Sequence, residues 1–214
     1  GIGMSGMAEL LHNHGFIISG SDVSKSERTV HLEKYKNIKI TYSHSKNNIK
    51  GCDLIVYSSA ININNPEIVN GIKLNIPILR RAELLGELIK VKNISIAVAG
   101  THGKTTSSSM LGHILHEAKK DPTLIIGGIV NKFKSNNISG SGNIIVVEAD
   151  EFDRSFLSLS PTYSILNNLE LEHLDCYADL NDLLDTFTLF ANSTPFYGKI
   201  AINIDSSNIK KIEN

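Results

Sequence analysis

The sequence predicts an α/β protein with two consecutive domains: a Rossmann-like domain, then a phosphate-loop domain built on a parallel sheet. Two observations support this fold class. Short apolar runs alternate with helical patterns, which is typical of parallel sheets. Each half also carries a glycine-containing turn at the start of a predicted helix. We expect the first domain to span 1–91 and the second to span 92–214, with the break near Val91.

The individual elements follow from apolar runs that end in turn residues. In the first domain we predict strands at 16–20, 38–40, 53–57 and 76–79, and helices at 4–14, 26–36, 66–74 and 81–90. In the second domain we predict strands at 94–99, 123–126, 144–149, 163–166 and 199–204, and helices at 104–119 and 180–192.

Composition argues against several classes of function. The 214 residues are 41% hydrophobic, which is enough for a sizeable core, and the net charge of −1 provides no basic field for nucleic acid or a membrane surface. No apolar run is long enough to span a bilayer. Cys52 and Cys176 lack metal or redox spacing and are typical of reduced thiols. We therefore expect a cytoplasmic protein with neither nucleic acid nor membrane as a partner.

The most informative segment follows the apolar run 94–99 and opens a helical pattern. Glycines there let backbone N–H groups face phosphate oxygens, Lys104 would reach the β- and γ-phosphates, and the Thr105 hydroxyl would face Mg²⁺. The loop is shorter than the general pattern, because Val98 stands where the first glycine is expected. A surface turn could contain Gly-Lys-Thr by chance, but the flanking strand and helix favour phosphate binding. The predicted nucleotide-binding residues are Gly100, Thr101, His102, Gly103, Lys104, Thr105 and Thr106.

Acidic residues follow the buried strand that ends near Glu148. The carboxyl ends of parallel strands are where ligands bind, and Mg²⁺ prefers carboxylate oxygens. We therefore predict that Glu148 is a metal ligand. A solvated acidic turn is the alternative, and it would account for Asp150, Glu151 and Asp153.

Two histidines belong to these polar segments. His173 follows the strand 163–166 and is either a second metal ligand or a solvated loop residue. His102, inside the phosphate loop, either contacts phosphate or shapes the turn. The remaining histidines show no ligand spacing and are expected at the surface: His12, His14, His31, His44, His113 and His116.

The first domain opens on glycines at 1, 3 and 6, and Asp22 follows its first predicted strand. This pattern resembles the opening of a Rossmann fold, although the strand that should precede the glycines is absent. Asp22 would either bind a ribose or base edge or cap the next helix. A dehydrogenase that uses NAD would rest on these glycines alone and would leave the second domain unexplained.

Taken together, the motifs resemble the Mur ligase family of ATP-dependent amide-bond-forming enzymes. Segment 100–106 resembles that family's ATP loop, and segments 148–157 and 168–177 resemble its two metal-bearing segments. Within the family, five further segments resemble the member that acts on UDP-N-acetylmuramic acid and L-alanine: 4–11, 19–22, 57–61, 78–85 and 195–198.

The resemblance implies a bacterial cytoplasmic ligase that uses ATP and Mg²⁺ and joins L-alanine to UDP-N-acetylmuramic acid through an acyl phosphate. It implies catalytic roles for Lys104, Glu148 and His173, and metal ligation by Thr105, Glu148 and His173. Residues implied to bind the UDP-sugar are Gly3, Ser5, Asp22, Ser58 and Ser59.

Some features depart from the family pattern. Phe152, Arg154 and Glu172 differ from the usual residues, and family chains are much longer. We therefore expect the C-terminal domain of the same polypeptide to be missing here, and the 214 residues alone to be inactive or nearly so. Two alternatives are a ligase that recycles muropeptides by attaching a tripeptide, and a non-catalytic fragment that binds a UDP-sugar or nucleotide.

Overall fold

The computed structural model describes residues 2–130, 135–172 and 176–212. The chain divides into two compact units between Leu84 and Leu85. The domain boundary at residue 91 stays a prediction of the sequence. Among the described residues, no helix is long and apolar enough to cross a membrane.

The described residues of the first unit form four strands and four α-helices, the last of which continues past Leu84. Its helices are α1 (Ile2–Asn13), α2 (Glu27–Leu32), α3 (Pro66–Lys73) and α4 (Arg81–Leu88), and its strands are β1 (Ile18–Ser21), β2 (Ile38–Thr41), β3 (Ile55–Tyr57) and β4 (Ile78–Arg80). The strands pair in parallel as two separate two-stranded sheets, β1 with β2 and β3 with β4.

Local sequence explains where these helices begin. Ser26 caps α2 through a reciprocal pair of bonds with Thr29, which satisfies backbone donors at the helix start. Asn65 accepts from the Glu67 N–H and thereby caps α3, and Pro66 occupies the first turn, where its missing donor has no consequence.

The second unit is built on a six-stranded sheet. Its strands are β5 (Ile94–Ala99), β6 (Thr123–Val130), β7 (Ser135–Ile138), β8 (Ile144–Glu148), β9 (Tyr163–Leu166) and β10 (Lys199–Ile202). Their order is β10-β9-β5-β8-β6-β7, and all pairs are parallel except β6 with β7. The α-helices are α5 (Lys104–Glu117) and α6 (Leu180–Asn192), and 3₁₀ turns lie at Ile89–Val91, Phe152–Ser158 and Ile209–Lys211. The α/β class with parallel sheets is confirmed.

The central strands of this sheet are buried, which explains their continuous apolar runs. Val98 and Val146 are fully buried and pack with Leu124 and Ile126. An aromatic cluster joins α6 to the 3₁₀ segment, because the Phe156 ring lies 5.1 Å from the Phe187 ring and 4.8 Å from the Phe190 ring. These layers fix the sheet edge at which β5, β8 and β9 all end.

The sheet differs most from the sequence prediction at β6 and β7. β6 runs to Val130 rather than 126, and it pairs in antiparallel fashion with β7, which the sequence did not predict. Glycine is depleted in strands, so the glycines at 127 and 128 indicate the end of a strand. The polar run 135–138 is poor in the β-branched and aromatic residues that favour strands. Pairing with a neighbour overrides both local signals.

Candidate functional site

The predicted phosphate loop connects the end of β5 to the start of α5. Gly100 and Gly103 have φ angles of +136° and +78°, which favour glycine. A Cβ atom on Gly100 would lie 3.0–3.1 Å from Asn167 and Asn168. Gly103 is the N-cap of α5, and it has no side chain that could bond the first helical N–H groups. Such a helix start suits an anion.

The segment after β9 holds this loop in shape. The Asn168 side chain accepts from the His102 N–H at 2.7 Å and donates to the His102 carbonyl at 3.0 Å. The Thr101 hydroxyl donates to the Glu170 carbonyl at 3.1 Å and accepts from the Glu170 N–H at 2.9 Å. The loop is therefore preorganised. Sequence reasoning missed the role of Asn168.

Thr105 and Glu148 lie together, as their predicted metal role requires. The Thr105 hydroxyl lies 3.0 Å from both carboxylate oxygens of Glu148. The Gly127 N–H also donates to Glu148, at 2.8 Å. A hydroxyl that donates its proton to a carboxylate keeps its lone pairs available, and both groups are the hard oxygen donors that Mg²⁺ prefers. The residues present therefore fit a magnesium ion, with Gly127 orienting the carboxylate.

Lys104 extends back over the loop and meets a carboxylate that the sequence did not single out. Its Nζ lies 2.7 Å from the Glu151 carboxylate, 2.7 Å from the Gly100 carbonyl and 3.2 Å from the Thr101 carbonyl. The Glu151 side chain is only 1% exposed, so its assignment to a solvated acidic turn is wrong. Burial raises the pKa of Glu151, and the hydrogen bond from Lys104 opposes that shift. The lysine therefore helps to keep this buried carboxylate ionised.

A second layer fixes Glu151 through its backbone. The buried Tyr177 hydroxyl donates to the Glu151 carbonyl at 2.6 Å, and the Arg154 guanidinium lies 5.1 Å from the centre of the Tyr177 ring. Arg154 also donates to the Cys176 carbonyl and the Asp182 carboxylate. A hydrogen bond from the Ala178 N–H has the larger effect in lowering the pKa of Asp182, and the hydrogen bond from Arg154 lowers it further. Arg154 thus ties the acidic segment to the start of α6.

Of the two histidines predicted to belong to the site, His102 lies among the described residues and His173 does not. The His102 ring lies 3.2 Å from the Glu172 carboxylate and 3.5 Å from the Glu170 carboxylate, and all three side chains are exposed. His173 lies outside the described residues, so its metal and catalytic roles stay predictions. Thr106 lies in the first turn of α5 and is exposed.

The predicted sugar-nucleotide residues of the first unit lie on separate elements. Gly3 and Ser5 belong to the start of α1, and Ser58 and Ser59 form the turn after β3. Asp22 follows β1 and accepts from the Ser24 N–H at 3.2 Å. Because Ser26 caps α2, the alternative role of Asp22 as the helix cap is wrong. The binding roles of these residues stay predictions.

Two further features of the first unit were not foreseen. His44, expected at the surface, lies 3.0 Å from the Ser21 hydroxyl, which donates to Glu67 at 2.6 Å. The other Glu67 oxygen accepts from Asn48 at 2.7 Å, so this polar cluster is satisfied internally. A cleft of about 340 Å³ is formed by residues of β3, α3, β4 and α4 and of the turn before α3. Its lining residues are Tyr57, Ile63, Ile68, Ile72, Ile78, Arg80 and Glu83.

Comparison with known families gives two adjoining matches. Residues 1–93 match the Mur ligase family, catalytic domain, and residues 98–214 match the Mur ligase middle domain.

Comparison with individual proteins points the same way. A UDP-N-acetylmuramate–L-alanine ligase of Persephonella marina is 48% identical over 212 residues, covering 99% of this chain and 46% of the relative. The equivalent ligase of Rickettsia bellii is 44% identical over 100% of this chain and 44% of its own length. The chain therefore spans about half the length of these curated relatives.

Among the solved structures that resemble 99% of this chain are two ligases. The UDP-N-acetylmuramate-alanine ligase of Thermotoga maritima has a TM-score of 0.86 at 31% identity, covering 99% of this chain and 49% of that structure. A UDP-N-acetylmuramate:L-alanyl-gamma-D-glutamyl-meso-diaminopimelate ligase from Neisseria meningitides has a TM-score of 0.89 at 26% identity, covering 99% and 71%.

Proposed function

Because the chain belongs to the Mur ligase family, we propose that the protein is an ATP-dependent ligase that joins L-alanine to UDP-N-acetylmuramic acid. The relatives named for this reaction, at 48% and 44% identity over nearly the whole chain, support the choice of substrates. The cytoplasmic location stays a prediction, and the two free cysteines are consistent with it.

One observation carries the chemical part of the proposal. The preorganised loop brings Lys104 and the Thr105 hydroxyl to the same sheet edge as Glu148. Backbone N–H groups at the start of a helix, together with a lysine, suit the β- and γ-phosphates of ATP. Thr105 and Glu148 would hold Mg²⁺, which supplies charge neutralisation during phosphoryl transfer. His173 is the proposed third ligand.

The proposed reaction has two steps. A carboxylate is a poor electrophile, so an oxygen of the lactyl carboxylate first takes the γ-phosphoryl group and ADP leaves. The L-alanine amine then attacks the acyl carbon, the amine loses a proton, and inorganic phosphate leaves. Lys104 and the backbone N–H groups at the start of α5 would hold the phosphoryl oxygens in line and stabilise their charge, which is how this class of transfer is accelerated.

The first unit is proposed to hold the UDP part of the sugar nucleotide. Asp22 and Ser58 follow the ends of β1 and β3, which is where ligands bind in parallel sheets. The cleft beside Tyr57 offers an apolar surface with polar groups at Arg80 and Glu83.

A second candidate is a ligase that attaches a preformed tripeptide to the same sugar nucleotide. The TM-score of 0.89 to the Neisseria structure, which is named for such a substrate, favours it. The higher sequence identity to the L-alanine ligases favours the first candidate.

The assay that separates them measures phosphate release by the product of the full reading frame that encodes this chain. The protein is supplied with ATP, Mg²⁺, UDP-N-acetylmuramic acid and either L-alanine or the tripeptide. We expect release with L-alanine. Phosphate release with the tripeptide but not with L-alanine would select the recycling ligase. Binding of ATP and UDP-N-acetylmuramic acid without phosphate release would select the non-catalytic alternative. The same assay on residues 1–214 tests whether they are inactive alone, which stays a prediction.

A further inference from the structure

We propose that Glu151 is a positioning residue for Lys104, and that the two side chains stay paired while nucleotide is bound. This inference rests on the proposed function, since it assumes that Lys104 acts on the phosphates of ATP. Glu151 would not touch substrate. It would fix the point from which the lysine amine reaches the phosphoryl group.

The partners of Lys104 indicate which contact a phosphate would replace. The amine has three protons, and three acceptors lie within reach: the Gly100 carbonyl at 2.7 Å, Glu151 at 2.7 Å and the Thr101 carbonyl at 3.2 Å. Bonds between charged groups are stronger than bonds to neutral carbonyls. A phosphate oxygen would therefore take the place of the longest neutral contact, and the bond to Glu151 would remain.

Burial gives the second argument. The Glu151 side chain is 1% exposed and that of Lys104 is 13% exposed. If the amine moved away to a phosphate, a buried carboxylate would lose its cation, which is strongly unfavourable. The nucleotide-bound loop is more stable if the amine contacts both anions at once.

The surroundings show that Glu151 is the fixed member of the pair. Tyr177 holds its backbone carbonyl at 2.6 Å, and Arg154 packs on the Tyr177 ring. Asp153 and Arg154 have φ angles of 53° and 59°, which is unusual for residues other than glycine and places Arg154 where it reaches Asp182. Lys104, in contrast, has a long flexible side chain whose end needs such an anchor.

The test substitutes Glu151 in the full-length protein and follows phosphate release and thermal unfolding. Glu151→Gln keeps the size of the side chain but removes its charge. We expect kcat per folded protein to fall on the order of 100-fold, as for other displaced catalytic groups. We expect KM for ATP to change less than about fivefold, because the lysine mainly stabilises the charge that develops in the transition state rather than the bound ATP.

Two other variants and a control support the interpretation. Glu151→Asp keeps the charge, so the flexible lysine can follow it, and activity should recover in part. Tyr177→Phe frees the Glu151 carbonyl and should lower kcat by a smaller factor, which provides a test if Glu151→Gln does not fold. Glu87→Gln breaks the exposed ion pair with Lys90, whose atoms lie 2.8 Å apart, and should leave activity unchanged.

The outcomes are distinguishable. If Glu151→Gln lowers only the melting temperature while kcat of the folded protein matches Glu87→Gln, Glu151 is structural and the inference is wrong. If the variant binds ADP more tightly and keeps its kcat, Glu151 competes with phosphate, which also overturns it. If the unaltered protein releases no phosphate with any acceptor, the proposed function fails instead.

Discussion

Replacing Gly100 by alanine tests whether the shape of the phosphate loop is required for nucleotide binding. The new Cβ atom would lie 3.0 Å from the Asn167 Cβ and 3.1 Å from the backbone nitrogen and oxygen of Asn168. Hydrogen bonds hold Asn168 in place, so it cannot easily move away from the added atom. The Asn168 carbonyl accepts from the Thr101 N–H, and its side chain bonds twice to His102.

Two terms set the size of the effect. Alanine at a φ of +136° costs about 1–3 kcal/mol in backbone strain. Crowding in a packed region adds about 1–3 kcal/mol. The loop can relieve both only by leaving the observed shape. If about 1.4–2.8 kcal/mol of this strain opposes the binding-competent loop, affinity for ADP falls by about 10- to 100-fold.

Gly51→Ala is the matched control. Gly51 also has a positive φ, of +76°, but a Cβ atom added there would meet no other atom within 4 Å. The substitution should cost about 1–2 kcal/mol of stability through strain alone and leave ADP affinity unchanged. Isothermal titration with ADP and urea denaturation of both variants measure the two effects. Equal ADP affinity for Gly100→Ala and the unaltered protein would refute the claim that this loop shape binds the nucleotide.

Three further predictions test other parts of the account. Thr105→Val should lower phosphate release by at least about 100-fold because the hydroxyl beside Glu148 is lost, whereas Thr105→Ser should retain most activity; equal rates for both would contradict a hydroxyl ligand. Hydrogen bonds from Ser141 lower the pKa of Asp121 below its ordinary value of 3.8. The ionised carboxylate therefore stabilises the folded state above that pH. This stabilisation is lost as the pH falls through the lowered pKa. Asp121→Asn should therefore melt lower than the unaltered protein near about pH 7, and the difference should shrink towards about pH 3; a constant difference would contradict this. Phe187→Ala, at a fully buried site, should cost about 3–5 kcal/mol in urea denaturation, while Leu189→Ala, 62% exposed on the same helix, should cost less than about 0.5 kcal/mol.

The sequence predicted most of the fold because its signals are local. Apolar runs and caps placed β5, β9 and α6 at their observed bounds. β7 was missed because Ser135–Ile138 has little strand propensity and forms through pairing with β6. Pairing with a neighbouring strand is not visible in the composition of the segment itself.

The candidate site shows the same division. The meeting of Thr105 and Glu148 could be predicted, since the residues follow neighbouring parallel strands. The burial of Glu151 could not, because its contacts come from distant residues: Lys104, 47 positions away, donates to its carboxylate, and Tyr177, 26 positions away, donates to its carbonyl. A run of acidic residues after a strand looks solvated until the segment that covers it is known.

The most direct test of the proposed reaction follows oxygen from the sugar carboxylate. UDP-N-acetylmuramic acid labelled with ¹⁸O in its lactyl carboxylate is incubated with ATP, Mg²⁺, L-alanine and the product of the full reading frame. If the carboxylate takes the γ-phosphoryl group and the amine then displaces phosphate, mass spectrometry will find one ¹⁸O atom in each phosphate released and one in the new amide. Unlabelled phosphate, with both ¹⁸O atoms still on the sugar, would contradict the account.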